Sequence, residues 1–280
     1  MAIFVPARKD TGRNKPDFLR DINWGHPLSD GLIASMDYLS LNESVTGDQA
    51  ALYSTANISD QGLNITGVWG EAASTADRLE IDNAGIVSAI DNDEWTVFFK
   101  VRLDDLTSNC ILAGMGAPQD GSLCFGPNLK NTGELKFATN DGAWLEILLA
   151  SSITRNTADF ISIAIRYDGT NMRPVINGSV GSDVAFASAS IPAAGGTLFQ
   201  IGSGQRSSAS YSYYSEDHTQ EYFRFYNRAL SDEEIVSLQD APYQILKQGH
   251  KYWLMPEAVT STFEPAWAMA AKRSNVIGAG

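Results

Sequence analysis

Two carboxylates, Glu80 and Asp82, stand two residues apart in the short alternating run RLEID, residues 78–82. On a strand that spacing places them on one face, and a carboxylate pair on one face is what glycoside hydrolysis requires. The next position on that face is Ala84, so the run reads as a solvated strand edge passing into an Asn83-Ala84-Gly85 turn. The three histidines, His26, His218 and His250, lack metal-ligand spacing, and no zincin, P-loop or nucleophile-elbow motif occurs. His26 precedes Pro27 and reads as a packing or hydrogen-bonding residue. The run Asp91-Asn92-Asp93-Glu94 lacks the glycine and the distal glutamate of an EF-hand loop and reads as a solvated turn. No cofactor is therefore expected; the acidic side chains are compatible with calcium, but no ligand motif calls for it. The richest candidate surface is SSASYSYYSEDH, residues 207–218, with Tyr211, Tyr213, Tyr214, Glu216, Asp217 and His218. It reads as a flexible aromatic loop beside the last strand. Sugar C–H faces pack on such rings while hydroxyls seek fixed acceptors, and Tyr with Ser also makes protein-recognition surfaces. Packed loop, protein contact and glycan contact all stand as readings.

The elements that must position these residues are strands. EWTVFFKVRL, residues 94–103, puts Trp95, Val97, Phe99, Val101 and Leu103 on one face, the alternation of a half-buried strand. NCILAGM, SLCFG, ELKFAT and AWLEILLA follow at short spacing, broken by Gly, Asn, Asp and Pro. DFISIAIRY and NMRPVING are joined by a YDGTN hairpin turn, and GTLFQIG and TQEYFRFYN close the series. Roughly a dozen strands of this kind make two packed antiparallel sheets. One helix follows: Ser231 and Glu234 form a capping box, Ile235 and Leu238 give the apolar face, and Pro242 stops it.

Composition agrees with a single globular sandwich. At 280 residues, 44% hydrophobic and 19% charged, the chain can bury a large core and is not of disordered type. The net charge of −13 is unevenly spread. Residues 31–240 carry 11 basic and 27 acidic side chains, whereas residues 1–30 and 241–280 are each slightly basic. An acidic body repels phosphate backbones and anionic membrane surfaces, which excludes nucleic acid and membrane as expected partners. Cys110 and Cys124 are no disulfide framework and read as buried thiols, with pairing between neighbouring strands left open. The N-terminal residues lack the apolar core of a signal peptide, so synthesis in the cytosol is expected.

Three stretches resemble the laminin-G-like, concanavalin A-like jelly-roll family: FISIAIRYDGTNMRPVINGSV at 160–180, TLFQIGSG at 197–204 and FRFYNRALSDEEIVSL at 223–238. The last, with its R-A-L-S-x-x-E-I helix, is the most specific. NWGHPLSDGLIAS at 23–35 and APYQILKQGHKYWLMP at 241–256 resemble phrases of laminin-G-like proteins from tailed bacteriophages, which usually have P-W-Q where Pro242-Tyr243-Gln244 stand here. The resemblance implies an all-β, two-sheet antiparallel jelly-roll sandwich with one short helix after the last strand. The polar, charged N-terminal residues and the apolar residues of the tail lead to the expectation of an N-terminal arm at 1–25, a body at 26–244 and a C-terminal arm at 245–280. Glycoside hydrolases of this fold carry an E-x-D-x-E signature, whose third carboxylate is missing here. The family's G-x-I-D-E before the closing strand is also missing, since Asp217-His218-Thr219-Gln220-Glu221 occupies that stretch.

The expected protein is thus a non-enzymatic bacteriophage virion component, a capsid decoration or minor surface protein. It would assemble in the host cytoplasm, form a homo-oligomer, and contact the major capsid protein or tail proteins. Trp253, Phe263, Trp267 and Met269 would serve as docking residues of the C-terminal arm. The alternatives are a glycan-binding adhesion module on a tail or head fibre, meeting host or environmental glycans, and a divergent glycoside hydrolase.

Overall fold

The computed structural model describes residues 21–38, 41, 44–46, 49–53, 55–66, 77–91, 94–104, 107, 109–116, 123–140, 144–155, 157–186, 198–206, 211–214 and 217–247. In chain order the strands are β1 (Leu32–Met36), β2 (Ala51–Tyr53), β3 (Asn57–Ser59), β4 (Gly62–Ile65), β5 (Arg78–Asp82), β6 (Trp95–Leu103), β7 (Cys110–Ile111), β8 (Ala113–Gly116), β9 (Leu123–Phe125), β10 (Pro127–Leu129), β11 (Leu135–Asn140), β12 (Trp144–Ala150), β13 (Ile161–Tyr167), β14 (Asn171–Ile176), β15 (Ser179–Val180), β16 (Val184–Ala185), β17 (Leu198–Ile201), β18 (Ser203–Arg206), β19 (Tyr211–Tyr214) and β20 (His218–Tyr226). Helix α1 (Ala84–Asp91) lies between β5 and β6, and α2 (Asp232–Asp240) follows β20.

Nine strands form one antiparallel sheet in the order β15-β14-β13-β6-β20-β4-β3, with β1 also on β20 and β16 also on β14. The facing layer is a second sheet in two kinked halves, β2-β5-β17-β8-β9 and β12-β11-β10-β7. Only Leu112 separates β7 from β8, and only Gly126 separates β9 from β10. Ladder bonds run on across both kinks, from Leu112 N–H to Pro127 O (3.0 Å), Ala138 N–H to Gly126 O (2.9 Å) and Gly202 N–H to Leu112 O (3.2 Å). The result is a two-sheet sandwich, as the alternating strands foretell.

The core lies between the sheets. Trp95, Val97, Phe99, Val101 and Leu103 all point into it and are buried, as their period-two spacing requires. Trp95 is the hub: its ring centroid lies 5.2 Å from Phe125, 5.8 Å from Phe137, 5.6 Å from Tyr167 and 6.0 Å from Phe225, residues drawn from both sheets. Cys110 is buried in this core, while the side chain of Cys124 lies outside the described set.

A second apolar cluster covers the opposite side of the nine-stranded sheet. Phe98, Ala164, Val175, Tyr222 and Tyr226 meet Ile235 and Leu238 of α2, then Tyr243, Ile245 and Leu246, with Ile22. Ser231 caps α2 in a full capping box with Glu234, as its sequence predicts. Arg228 grips the same Glu234 through two nitrogens at 3.0 and 2.8 Å. Arg224 is buried beneath the segment after α2. It donates to Asp37 Oδ1 at 2.9 Å, to Pro242 O and to Ser35 Oγ, and its guanidinium lies 4.8 Å from the Tyr222 ring and 5.6 Å from the Tyr243 ring. Tyr243 OH in turn donates to Glu221 Oε1 at 2.7 Å, and Glu221 pairs with Lys100 at 2.7 Å.

The described residues continue past 26 and 244 on both sides. Ile22 bridges Leu246, Asn23 N–H donates to Ile245 O at 2.7 Å, and Lys247 N–H to Asp21 O at 2.8 Å. The two phrases flanking the sandwich therefore meet in one buckle. Residues 1–20 and 248–280 lie outside the described residues.

Candidate functional site

The carboxylate run is not the solvated edge that its sequence suggests. β5 is an interior strand, paired with β2 on one side and β17 on the other. Leu79 and Ile81 enter the core, and Glu80 on the other face is 8% exposed. Arg78 Nε holds Glu80 Oε1 at 2.7 Å, and Gln200 Nε2 donates to the same oxygen at 3.0 Å. The expected Asn-Ala-Gly turn is instead the start of α1. Asn83 Oδ1 accepts from Ile86 N–H at 3.1 Å, and Ile86, Ala89 and Ile90 are buried at helical spacing. The cap and that spacing were the available signals; Gly85, two residues after Asn83, disguised them as a turn.

The aromatic segment is likewise partly strand, not loop. Tyr211–Tyr214 is β19, paired antiparallel with β18 in a two-stranded ribbon. The chain enters the ribbon by bending at Gly202, whose φ of 83° is a left-handed conformation that glycine adopts readily. A Cβ there would also meet Ile65 Cγ1 at 2.8 Å. Ser203 Oγ then donates to Gln200 Oε1 at 2.8 Å, which seats the start of the ribbon on the outer face of the kinked sheet. Gly114, level with Gln200 on that face, leaves room there. β18 lies against β8 and β9, and β19 against β7. The side chains of Tyr211, Tyr213 and Tyr214 lie outside the described set, as does Glu216 altogether. His218 is not at the surface: it opens β20, is fully buried, and its Nε2 is 3.1 Å from Gln220 Nε2. Gln220 Nε2 also donates to Leu112 O at 2.8 Å, so this histidine belongs to the bond joining the two sheets. Asp217 is half-buried, and its backbone oxygen accepts from Asp104 N–H at 2.8 Å. Trp253, Phe263, Trp267 and Met269 lie outside the described residues.

Beyond the ribbon the outer face of the kinked sheet continues over β10, β11 and β12. Register places Ile111, Asn128, Lys136 and Leu148 in one row across it. Their strand neighbours Leu129, Leu135 and Phe137 face the core. Charges on this face are matched in pairs: Lys130 Nζ lies 2.5 Å from Glu146 Oε1, and Lys136 Nζ lies 3.3 Å from Glu134 and 3.7 Å from Glu146. The Thr132 hydroxyl and Lys136 hold the Glu134 carboxyl below its usual range. Asn128 is 6% exposed although it points away from the core. Its Nδ2 donates to Gly126 O at 3.2 Å, yet among the described residues nothing donates to its buried Oδ1. Leu148 stands 45% exposed at the end of the row. Sequence reasoning singled out none of these residues, because the alternation of a sheet face carries no sign of which acceptor is left without a donor.

His26 takes the modest role its sequence suggests: its Nδ1 accepts from Leu28 N–H at 3.2 Å, capping the short turn Pro27–Ser29. Asp168 likewise serves its hairpin, accepting from Thr170 and Asn171 N–H. Among the described residues no group of three or more His, Cys, Asp or Glu side chains is placed to hold a metal ion.

Residues 73–236 match the family Laminin_G_3, the concanavalin A-like lectin/glucanases superfamily. The chain belongs to this family. No curated protein matches its sequence. Among solved structures, this concanavalin A-like domain is similar to the binding domain of botulinum neurotoxin DC. In its complex with SialylT, the TM-score is 0.56 at 12% identity, over 76% of this chain and 52% of that one. In its complex with rat synaptotagmin II, the TM-score is 0.56 at 11% identity, with the same coverage. The Trypanosoma rangeli sialidase in complex with sialic acid matches with a TM-score of 0.54 at 16% identity, over 78% of this chain and 34% of that one. The chain thus spans about half or less of these proteins, and the likeness is one of fold.

Proposed function

We propose that this domain is a non-catalytic recognition module that binds glycan on the outer face of its kinked sheet. The observation that carries the reading is the seating of the tyrosine-bearing ribbon on that face, next to a row that carries Lys136 and the exposed Leu148. Aromatic strands above a polar sheet offer the two things a sugar ring needs, apolar rings for its C–H faces and fixed polar groups for its hydroxyls. Glu80 argues against hydrolysis: with Arg78 and Gln200 on one of its oxygens it is tied into the sheet, and the third carboxylate of the hydrolase pattern is Ala84. Structures of similar fold in complex with SialylT and with sialic acid are consistent with a glycan ligand.

A glycan array probed with the full chain tests the reading. Wild type is expected to retain a defined set of sugars, and Tyr211→Ser/Tyr213→Ser to lose it with an unchanged melting temperature. No retained sugar on a broad array would defeat the proposal.

A second reading concerns where the module works. The two phrases that resemble tailed-bacteriophage proteins, around 23–35 and 241–256, join in the buckle at Ile22 and Leu246. That joint favours a virion surface protein whose flanking segments dock it to capsid or tail. Mass spectrometry of purified heads and tails tests this placement, and absence of the chain from both fractions would reject it.

A further inference from the structure

We propose that Asn177 is a modification site held in check by α2: its carboxamide is lost through ring closure with Gly178 whenever α2 lifts, and Gln239 is the side chain that prevents this in the folded chain. Asn177 and Gly178 form the two-residue turn between β14 and β15, with Val175 paired to Val180 and Ile176 to Ser179. Both have positive φ, 48° and 77°, the conformation for which an Asn-Gly pair is favoured in such turns. The same pair is the one most open to ring closure, because glycine offers the attacking nitrogen no side-chain obstruction. Asn177 is exposed, and around the position of a Gly178 Cβ there is no atom within 4 Å, so water has access.

In the reaction the Gly178 nitrogen gives its proton to hydroxide and bonds to Asn177 Cγ. The Cγ–Nδ2 bond breaks, and Nδ2 leaves as ammonia with a proton from water. Water then opens the five-membered imide at either carbonyl, giving aspartate or isoaspartate. The electrophile is already prepared. Ser162 N–H donates to Asn177 Oδ1 at 2.8 Å, which polarises the carbonyl under attack and would steady the oxyanion that forms. What is withheld is the nucleophile. Gly178 N–H donates to Gln239 Oε1 at 2.7 Å, and a hydrogen-bonded amide gives up its proton only on local opening. Gln239 is itself fixed, since its Nε2 donates to Val175 O at 2.9 Å and to Ser162 O at 3.4 Å. Its neighbour Leu238 is buried in the roof. The latch therefore opens only with the last turn of α2. The isoaspartate product lengthens the backbone of a two-residue turn by one atom and adds a negative charge, so the β14–β15 pairing would not re-form. A transient opening of the roof thus leaves a permanent chemical mark.

Incubation of the full chain at mildly alkaline pH, followed by peptide mapping with mass spectrometry, tests the proposal. Conversion at Asn177 is compared between the folded chain, the chain in urea, Gln239→Met and Gln239→Glu. The folded wild type is expected to keep its amide while the chain in urea converts. Gln239→Met, of similar length but without the oxygen, should convert about tenfold faster than folded wild type, the factor that one ordinary hydrogen bond is worth. Gln239→Glu keeps an acceptor for Gly178 N–H and should stay near wild type. Hydrogen exchange at Gly178 N–H should rise by the same factor as conversion in the methionine variant. Folded wild type converting as fast as the chain in urea, or a folded methionine variant converting no faster than wild type, would overturn the inference. If the methionine variant folds poorly, exchange in wild type decides: a Gly178 N–H as quick to exchange as in an unfolded chain would overturn it as well.

Discussion

The outer faces of the two sheets are treated in opposite ways. The nine-stranded sheet is roofed by its own chain: α2, the segment through Tyr243 and Leu246, and Ile22 bury Phe98, Tyr222 and Tyr226, and Arg224 is tied down with Asp37. The kinked sheet carries no helix among the described residues on its outer side. It carries instead a two-stranded ribbon, matched charge pairs and a half-exposed leucine. A face that buries its aromatic rings under its own chain serves as scaffold. A face finished with polar groups stays open. The difference teaches that recognition should be sought on the side where the chain did not complete its own packing.

Breaking the scaffold side should have the largest effect. Arg224→Met leaves the Asp37 carboxylate buried without its partner, and urea unfolding is expected to show a loss of about 3–5 kcal/mol. Pairing that change with Asp37→Leu should recover much of the loss. If the single variant were as stable as wild type, the roof would not depend on this pair. The tyrosines of the same face give a pH test. Burial pushes the Tyr222 hydroxyl up to about 12 despite the nearby Arg224, and burial raises Tyr226 and Tyr243 further. Unfolded tyrosine releases its proton near pH ~10, whereas the folded groups hold theirs. The folded state therefore binds more protons above that pH, and stability must fall as pH rises from there through about 12. Phenolate absorbance and unfolding should appear together; ionisation of the buried tyrosines within a still-folded protein would contradict their assignment to a sealed face.

A smaller effect is expected from Ser231→Ala, which removes the α2 cap at a cost of about 1 kcal/mol. Sugar binding by the folded fraction should not change, and a change would mean that the two faces communicate. The smallest stability effect belongs to the open side. Lys136→Gln breaks part-exposed ion pairs that contribute less than about 1 kcal/mol, so the melting temperature should hold while affinity for the retained sugars shifts. A large drop in stability would reassign that row to the scaffold.

The scaffold was the legible half. Trp95 to Leu103, the hairpin turn at Asp168, and the Ser231 cap with Ile235 and Leu238 are all set by local period and turn chemistry, which sequence displays directly. The candidate site was legible only in its aromatic segment, and even there as a loop. That Tyr211–Tyr214 pairs with Ser203–Arg206 depends on the left-handed bend at Gly202, and a glycine before a polar stretch reads equally well as the end of a strand. Glu80 was read as solvated because its neighbours β2 and β17 come from far along the chain. Asn128 could not have been found at all, since a missing donor is a property of three-dimensional surroundings.

The buckle at Ile22 and Leu246 has a mechanical consequence. Asp21 and Lys247 are held side by side, by Lys247 N–H on Asp21 O and by Lys247 Nζ 3.0 Å from the Asp21 carboxylate. Tension applied through both flanking segments toward a common anchor would be carried at this one point. The load would bypass the ladder hydrogen bonds of either sheet, so the sandwich could be tugged repeatedly without being drawn open.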